Sequence, residues 1–199
     1  VGMPLYQDTT QESLSDRHLE WLSLNFPNVR SHKFDLSDTF DVFIETMGPQ
    51  FTSKHAEANS RSRLRMVTLY QVAACQRGVV VGTGNKVEDY GVGFYTKYGD
   101  GGVDIAPIAD LYKTQVWGLG EYMGISEEII AAEPTDGLWN DGRKDVDQLG
   151  MSYSQIEYLM NNPTEPSYEK YLKLRKKNLH KMKPIPVCTF DGKTDLAND

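Results

Sequence analysis

Apolar residues recur every three or four positions in several stretches of the chain, which is the spacing of an amphipathic helix. The clearest example is Phe40, Phe43, Ile44 and Met47, and Gly48-Pro49 ends this pattern. The same periodicity and the capping residues around it predict helices over residues 9–25, 40–47, 54–76, 111–123 and 166–183, and two short helices after Ser126 and Ser152.

Short apolar runs between these helices predict strands. Gly78–Gly82 contains three consecutive valines, which is typical of a strand buried on both faces of a parallel sheet. Val29–Leu36 is a second short strand, and Val1–Pro4 is the end of another that runs into a loop. This alternation predicts an α/β fold with a doubly wound, mostly parallel sheet flanked by helices. Because such a domain normally begins with a strand and its loop, we expect that strand and loop to be missing here.

Length and composition are those of one globular domain. The chain has 199 residues, of which 39% are hydrophobic and 25% are charged, and a domain has roughly 150 residues on average. No apolar run approaches the roughly 20 residues that a membrane span needs, and no secretory signal pattern stands at the N-terminus. Cys75 and Cys188 lie far apart without the spacing of a metal site. We therefore expect a reduced, cytoplasmic protein.

The charge is unevenly distributed along the chain. Residues 1–165 contain 13 basic and 24 acidic residues, whereas residues 166–183 contain seven basic residues and one acidic residue. An acidic body argues against nucleic-acid binding, which needs a broad basic face. The basic segment is either a solvated helix whose cations suit the negative end of its dipole, or a binding site for one anionic ligand.

Candidate chemistry is concentrated after the valine-rich strand. Gly82–Asn85 forms a glycine-containing turn at the carboxyl end of that strand, where open α/β folds bind ligands and backbone NH groups approach phosphate. Glu88, Asp100 and Asp104 follow in a glycine-rich region, and carboxylates of this kind hold Mg²⁺ beside a triphosphate. The alternative is a solvated acidic loop in which Lys97 forms a surface ion pair.

The segment Gly82–Thr114, with its runs GTGNKVE and YTKYGDGGVD, resembles the NAD synthetases, ligases that convert deamido-NAD to NAD. Two further blocks agree with that family in order and spacing: Asn59–Met66 upstream, and Glu133–Asp136 with Leu149-Gly150 downstream. His180-Lys181 resembles the closing motif of the family. The resemblance covers nearly the whole chain and implies an adenine nucleotide alpha-hydrolase-like fold.

The resemblance implies a role for each matching residue. The ATP contacts that it implies are Thr83, Lys113 and Thr135, and the Mg²⁺ ligand is Glu88. The deamido-NAD contacts that it implies are Asn59, Arg63, Lys97, Asp104, His180 and Lys181. The catalytic residues are Lys113, Asp100 and Asp104. It further implies a homodimer with the dinucleotide at the subunit interface, and deamido-NAD, ATP and ammonia as partners.

In the implied reaction the substrate carboxylate attacks the α-phosphate of ATP and expels pyrophosphate. Ammonia then attacks the acyl-adenylate and releases AMP. Mg²⁺ and Lys113 would stabilise the charge on the phosphates, and Asp100 or Asp104 would bind ammonium or accept its proton. Residues 134–150 have little apolar periodicity and several glycines and aspartates, so we expect a mobile lid with Thr135 at its hinge.

The chain departs from the family pattern in two respects. The ATP-binding loop of the family, Ser-Gly-Gly-x-Asp-Ser, is absent and is expected upstream of Val1, so the chain as given should be inactive. One residue is inserted around Gly91-Val92. Two alternatives therefore stand beside the ammonia-dependent enzyme: the synthetase domain of a glutamine-dependent enzyme, and a non-catalytic, dimerising dinucleotide-binding fragment.

Lys113 provides the first test. It stands at the beginning of a predicted helix, where a lysine opposes the helix dipole by a few tenths of a kcal/mol, roughly 0.3 or more, unless an anion lies beside it. In the full-length protein, Lys113→Ala should lower turnover by roughly 10²-fold or more, because one charge-stabilising donor is lost. The rate of ATP-dependent AMP release measures this, and a normal rate would contradict the assignment.

Overall fold

The computed structural model describes residues 1–7, 9–139, 141–188 and 190. Within these residues the chain forms eight α-helices, namely α1 (Thr9–Asn25), α2 (Ser37–Met47), α3 (Lys54–Gln76), α4 (Lys113–Tyr122), α5 (Glu127–Ile130), α6 (Asp145–Leu149), α7 (Tyr153–Asn161) and α8 (Tyr168–Met182). A 3₁₀ helix spans Pro49–Phe51, and a π-helical turn spans Lys86–Val92. No helix in this part of the chain is both long enough and apolar enough to cross a membrane.

The helices follow the sequence pattern closely. Helices α1 and α3 have the predicted bounds, α2 begins three residues earlier than predicted, and α4 and α8 begin two residues later. The late start of α8 has a local cause, because the amide of Tyr168 closes a turn by donating to the carbonyl of Glu165 at 2.9 Å. The capping box of α7 is confirmed. Ser152 Oγ accepts from the amide of Gln155 at 3.2 Å, and Gln155 Oε1 accepts from the amide of Ser152 at 2.9 Å.

The continuous parallel sheet that the sequence predicts is not present among the described residues. The backbone there pairs at two isolated parallel bridges, Gly2 with Lys33 and Val81 with Ile105. At the second bridge, the amide of Gly82 donates to the carbonyl of Ile105 at 2.7 Å. Each pairing extends over too few residues to form a regular strand. The parallel direction agrees with the predicted fold, whereas the sheet itself is not confirmed.

The valine run was expected to be buried on both faces, and this expectation is wrong for one face. Val80 is 4% exposed, whereas Val79 and Val81 are 60% and 52% exposed. Successive side chains of an extended segment point to opposite sides. The side that carries Val80 is therefore covered by the rest of the chain, and the side that carries Val79 and Val81 is open.

The larger apolar core lies around the π-helical turn. Val87 and Val92, near the two ends of this turn, are both fully buried, as is Ile156 of α7. The same core contains side chains from α6, α7, α8 and the segments between them: Leu149, Met151, Tyr153, Leu159 and Tyr171. A smaller core consists of Leu5, Leu36 and Phe40. The packing of the larger core holds the π-helical turn, which carries Glu88, against helices α7 and α8.

Asn85 fixes the beginning of the π-helical turn. Its side chain is 1% exposed, and its Oδ1 atom accepts hydrogen bonds from the amides of Val87 at 3.0 Å and Glu88 at 3.1 Å. An asparagine cap of this kind satisfies backbone donors that would otherwise have no partner at a helix start. Asn85 therefore determines the direction in which Glu88 leaves the backbone.

Replacement of Asn85 tests this role. Asn85→Ala should lower the free energy of unfolding by about 1–2 kcal/mol, because one buried and one partly buried amide lose their acceptor. Asn25→Ala is the matched control, since Asn25 is exposed and donates to the carbonyl of Trp21 at the end of α1. Urea unfolding measures both changes. Equal losses in the two variants would contradict the capping role.

Candidate active site

Four polar side chains meet where the π-helical turn faces the beginnings of three helices. Glu88 lies in the turn, and Lys113, Asp145 and Tyr153 are the first residues of α4, α6 and α7. Lys113 Nζ donates to Glu88 Oε1 at 2.9 Å, and the Tyr153 hydroxyl lies 2.6 Å from the same oxygen. The Tyr153 hydroxyl also lies 2.6 Å from Asp145 Oδ2. We call these four residues the Glu88 cluster.

The Glu88 cluster is largely shielded from solvent. The side chains of Glu88 and Lys113 are 16% and 20% exposed, and Asp145 and Tyr153 are 5% and 6% exposed. Burial raises the pKa of the Asp145 carboxyl. Burial and the neighbouring Glu88 carboxylate likewise raise the pKa of the Tyr153 hydroxyl. Buried titratable groups with perturbed pKa values are typical of functional sites.

Lys113 stands at the beginning of a helix with an anionic side chain beside it, as its position in the sequence predicts. Lys113 is the first residue of α4 and pairs with Glu88. Lys113 does not form a surface ion pair with the nearby Asp110, which pairs with Lys86 at 2.9 Å. The carboxylate of Glu88 thus offsets the unfavourable position of a lysine at a helix N-terminus.

The donor set of Glu88 fits a magnesium ion. Both donors bind Oε1, and Oε2 accepts no hydrogen bond from the described residues. Asp145 Oδ1 nearby is buried, and no described residue forms a hydrogen bond with it. Mg²⁺ takes one or two protein carboxylates and keeps several waters. It therefore does not need a group of three acidic, histidine or cysteine ligands, and the described residues contain none.

Two of the residues assigned to deamido-NAD line a cavity of about 740 Å³. These are Lys97 and Lys181, and three tyrosines line the same cavity: Tyr70, Tyr95 and Tyr98. Lys97 Nζ lies 5.4 Å from the centre of the Tyr98 ring, and Lys181 Nζ lies 5.3 Å from the centre of the Tyr95 ring. The cavity therefore combines two cations with aromatic faces.

Asn59, Arg63 and Asp100 join helix α3 to the glycine-rich loop. Asn59 Oδ1 accepts from the Thr96 hydroxyl at 2.9 Å, and Arg63 Nε donates to the carbonyl of Lys97 at 3.1 Å. Asp100 Oδ1 accepts from the Ser62 hydroxyl at 2.7 Å and from the amide of Thr96 at 2.9 Å. These contacts hold the loop in place beside the cavity.

Asp104 is bound to the backbone of the valine-rich segment. Its Oδ2 atom accepts from the amide of Val80 at 2.7 Å, and its Oδ1 atom accepts from the Tyr70 hydroxyl at 3.1 Å. Both of its oxygens are engaged, whereas Asp100 Oδ2 accepts no hydrogen bond from the described part of the chain. Of the two carboxylates, Asp100 therefore keeps the more available acceptor.

The two residues of the closing motif differ in their surroundings. Lys181 Nζ donates to the carbonyls of Gly93 and Tyr95, both at 2.7 Å, and burial lowers its pKa. His180 precedes it on α8 and is exposed. Lys181 thus fastens α8 to the loop after the π-helical turn while it also faces the cavity.

The two threonines assigned to ATP lie in different places. Thr83 is exposed and makes no side-chain hydrogen bond with the described residues. Thr135 Oγ1 donates to the carbonyl of Arg143 at 3.0 Å and lines a separate cavity of about 1040 Å³. Thr135 therefore does not line the cavity that contains Lys97 and Lys181.

Sequence reasoning missed three acidic or hydroxyl groups in this region: Asp89, Asp145 and Tyr153. Asp89 lines a cavity of about 310 Å³ together with Asp100, Asp104 and Lys181. A Cβ atom on Gly84 would lie 2.1 Å from Asp89 Oδ2, so only glycine leaves room for this carboxylate. The one available signal was position, since Asp145 and Tyr153 both stand at helix starts. That signal does not distinguish a cap from a site residue.

Comparison with known proteins identifies the family. A family model described as NAD synthase matches residues 1–188, and the chain therefore belongs to the NAD synthase family. The ammonia-dependent NAD(+) synthetase of Thermoplasma volcanium is 38% identical over 160 residues, which are 77% of this chain and 64% of that protein. The enzyme of the same name from Carboxydothermus hydrogenoformans is 37% identical over 167 residues, with 81% of this chain and 68% of that protein covered.

Solved structures agree with this assignment. An NMN synthetase from Francisella tularensis superposes with a TM-score of 0.83 at 29% identity, and 94% of this chain and 77% of that chain are covered. An ammonia-dependent NAD synthetase from Campylobacter jejuni superposes with a TM-score of 0.67 at 26% identity, covering 94% and 76%. The fold is therefore that of the NAD and NMN synthetases. The chain spans slightly less than two thirds of its relative from Thermoplasma volcanium, 64% of its length.

Asp89 gives a prediction about pH. Burial, followed by the neighbouring Glu88 and Asp100 carboxylates, raises the pKa of Asp89 from 3.8 to about 6. The folded state therefore binds more protons than the unfolded state between those values, so this group lowers stability as pH rises. In metal-free protein, Asp89→Asn should raise the melting temperature above about pH 6, and the gain should disappear below about pH 4.

Thermal unfolding at several pH values measures this difference. Asp38→Asn, at an exposed aspartate in the first turn of α2, controls for the change in net charge. A gain in Asp89→Asn that is the same at pH 4 as at pH 8 would contradict the argument.

Proposed function

We propose that the protein is an ammonia-dependent NAD synthetase that amidates deamido-NAD at the expense of ATP. The observation that carries this proposal is the contact between Glu88 and Lys113 at 2.9 Å. The family resemblance assigns Glu88 to the metal and Lys113 to the phosphates of ATP. The curated relatives, whose names state this activity, support the same conclusion.

The Glu88 cluster suits the adenylation step. The beginnings of α4, α6 and α7 converge on it, and helix N-termini favour anions. Lys113 would stabilise the negative charge that develops on the α-phosphate and on pyrophosphate as the substrate carboxylate attacks. A magnesium ion bound at Glu88 Oε2 would supply Lewis-acid stabilisation of the same charge. Thr83, and Thr135 at the start of the 134–150 lid, would contact ATP from outside the cluster.

The cavity beside the cluster suits the dinucleotide. Lys97 and Lys181 provide cations for its phosphates, and the faces of Tyr70, Tyr95 and Tyr98 provide surfaces on which rings stack. Asn59, Arg63 and Asp104 position the walls of this cavity through the contacts described above. Asp100 Oδ2 would bind ammonium or accept its proton.

Assembly into a homodimer completes this proposal. His180 is exposed beside Lys181 at the end of the basic helix α8, where it would reach a dinucleotide held at a subunit interface. The 134–150 segment would act as the lid over ATP, and the amide of Asp145 donates to the carbonyl of Pro134 at 2.9 Å.

A second candidate substrate is nicotinate mononucleotide. The superposition on the Francisella tularensis NMN synthetase has a TM-score of 0.83, against 0.67 for the Campylobacter jejuni NAD synthetase. The same cluster would activate the same carboxylate, since the two substrates share the nicotinate ring and one phosphate. The difference would lie in how much of the cavity is filled.

One assay separates these possibilities. The full-length protein is incubated with ATP, Mg²⁺ and ammonium, with either deamido-NAD or nicotinate mononucleotide as the acid, and AMP and the amide product are quantified. We expect equal amounts of AMP and NAD with deamido-NAD and a lower kcat/KM with the mononucleotide. Lys33→Ala, which removes an exposed lysine paired with Glu12 and Asp16, is the control for Lys113→Ala.

The other outcomes decide between the alternatives. A higher kcat/KM with nicotinate mononucleotide would favour the second candidate. Amide formation from glutamine without ammonium would indicate a glutamine-dependent enzyme. ATP-independent binding of the dinucleotide without any AMP release would indicate a non-catalytic binding protein and would overturn the proposal.

A further inference from the structure

The Tyr153 hydroxyl lies between two carboxyl groups. It is 2.6 Å from Glu88 Oε1 and 2.6 Å from Asp145 Oδ2. Both distances are short for hydrogen bonds between oxygen atoms, which lie between about 2.5 and 3.0 Å. Asp145 and Tyr153 have no role in the resemblance from which the other site residues were assigned.

The number of available hydrogens indicates the direction of the two hydrogen bonds that join Asp145, Tyr153 and Glu88. A phenol has one hydrogen and donates to only one of its two neighbours, so the second short contact requires a hydrogen on one of the carboxyl groups. Glu88 has the Lys113 ammonium as its counter-ion on Oε1, whereas Asp145 is 5% exposed and burial raises its pKa. The second hydrogen is therefore assigned to Asp145, which would donate to the Tyr153 hydroxyl, and that hydroxyl would donate to Glu88.

The buried Oδ1 atom of Asp145 fits the same assignment. This oxygen has no hydrogen-bond partner among the residues that the structure describes. An ionised carboxylate with an unsatisfied buried oxygen is costly, while a neutral carboxyl group leaves much less charge without a partner. The orphaned oxygen is thus consistent with Asp145 as the donor to the Tyr153 hydroxyl.

The packing around Tyr153 keeps its hydroxyl away from other hydrogen-bond partners. Tyr153 is 6% exposed and is held at the start of α7 by the capping box of Ser152. The Trp117 ring meets the Tyr153 ring edge-on with centroids 6.1 Å apart, and Lys113 Nζ lies 4.9 Å from the Tyr153 ring centre. Because the ring is fixed in this way, its hydroxyl stays between Glu88 and Asp145.

The hydrogen bond from Tyr153 helps to orient the carboxylate of Glu88. Two donors, Lys113 Nζ and the Tyr153 hydroxyl, both bind Oε1. They fix the carboxylate plane, and Oε2 is left without a hydrogen bond from the described residues. Outer partners that orient a ligating carboxylate in this way typically change metal affinity or activity by about 10- to 100-fold when they are removed.

Asp145 also connects this arrangement to the segment 134–150. Its amide donates to the carbonyl of Pro134 at 2.9 Å, and its side chain reaches Tyr153. The closing contact of the segment and the orientation of Glu88 therefore depend on the same residue.

We propose that Tyr153 and Asp145 are positioning residues that orient Glu88 toward the magnesium ion of ATP, with Asp145 acting through the Tyr153 hydroxyl. This inference rests on the proposed function, in which Glu88 binds that ion. It predicts that loss of the hydroxyl weakens the binding of magnesium–ATP without removing any group that touches the nucleotide.

The test uses the full-length protein and two readouts. Titration calorimetry measures the binding of ATP with Mg²⁺ in the absence of ammonium and dinucleotide, and initial rates measure the Mg²⁺ concentration for half-maximal activation. Tyr153→Phe should weaken magnesium–ATP binding by about 10- to 100-fold and raise that Mg²⁺ concentration. The KM for deamido-NAD should remain unchanged. Tyr158→Phe is the matched control, because Tyr158 is on the same helix and its exposed hydroxyl donates to Glu165.

Asp145 is tested by a pair of substitutions. Asp145→Asn keeps an N–H donor toward Tyr153 and should stay within a few-fold of the unmodified protein in both readouts. Asp145→Ala removes the hydrogen bond to Tyr153 and should resemble Tyr153→Phe. The double variant Tyr153→Phe with Asp145→Ala should bind magnesium–ATP no more weakly than Tyr153→Phe alone. If Asp145→Ala unfolds the protein, the comparison of Asp145→Asn with Tyr153→Phe still decides the matter.

Any one of four results would overturn the inference. One is magnesium–ATP binding and Mg²⁺ activation in Tyr153→Phe equal to those of the unmodified protein. Another is Asp145→Asn as weak as Tyr153→Phe, or additive losses in the double variant, since Asp145 would then not act through the hydroxyl. The last is an unmodified protein that binds no magnesium–ATP, a result that would overturn the proposed function as well.

Discussion

The site depends on the burial of the π-helical turn at Lys86–Val92. Val87 and Val92 are fully buried, so the turn cannot shift relative to α7 and α8. Glu88 lies between these two anchors, and the Asn85 side chain caps the amides at the start of the turn. Apolar packing thus places the Glu88 carboxylate where little solvent reaches it. The other polar groups of the Glu88 cluster provide the hydrogen-bond and ion-pair partners that a shielded carboxylate needs.

This location concentrates acidic groups that repel one another. Glu88, Asp89 and Asp145 all lie near the turn, and burial raises the pKa of both Asp89 and Asp145. A fold selected for stability alone has little reason to place three carboxyl groups together with limited solvent. The arrangement is understandable if a cation and phosphates interact with them, because a site that is strained when empty gains more when its ligand binds.

The two substrates would occupy neighbouring regions that are joined by one loop. The loop from Tyr95 to Asp104 is fastened to α3 through Ser62 and Asn59 and to α8 through Lys181. Its glycines are required by close contacts, since a Cβ atom on Gly99 would lie 2.2 Å from the Ser62 hydroxyl oxygen. The contacts of this loop with α3 and α8 fix the wall of the lysine-lined cavity.

The sequence by itself determined the helices and the family, and only the tertiary structure decided how the site residues meet. Helices α1 and α3 have the predicted bounds, because periodicity and caps act over a few neighbouring residues. The roles suggested for Glu88 and Lys113 came from their order in a motif, but their contact joins residues 25 positions apart. The predicted sheet is not confirmed among the described residues, and strand pairing likewise depends on partners distant in the chain. Tyr153 and Asp145 escaped notice because their contacts with each other and with Glu88 form only when α6, α7 and the π-helical turn are packed together.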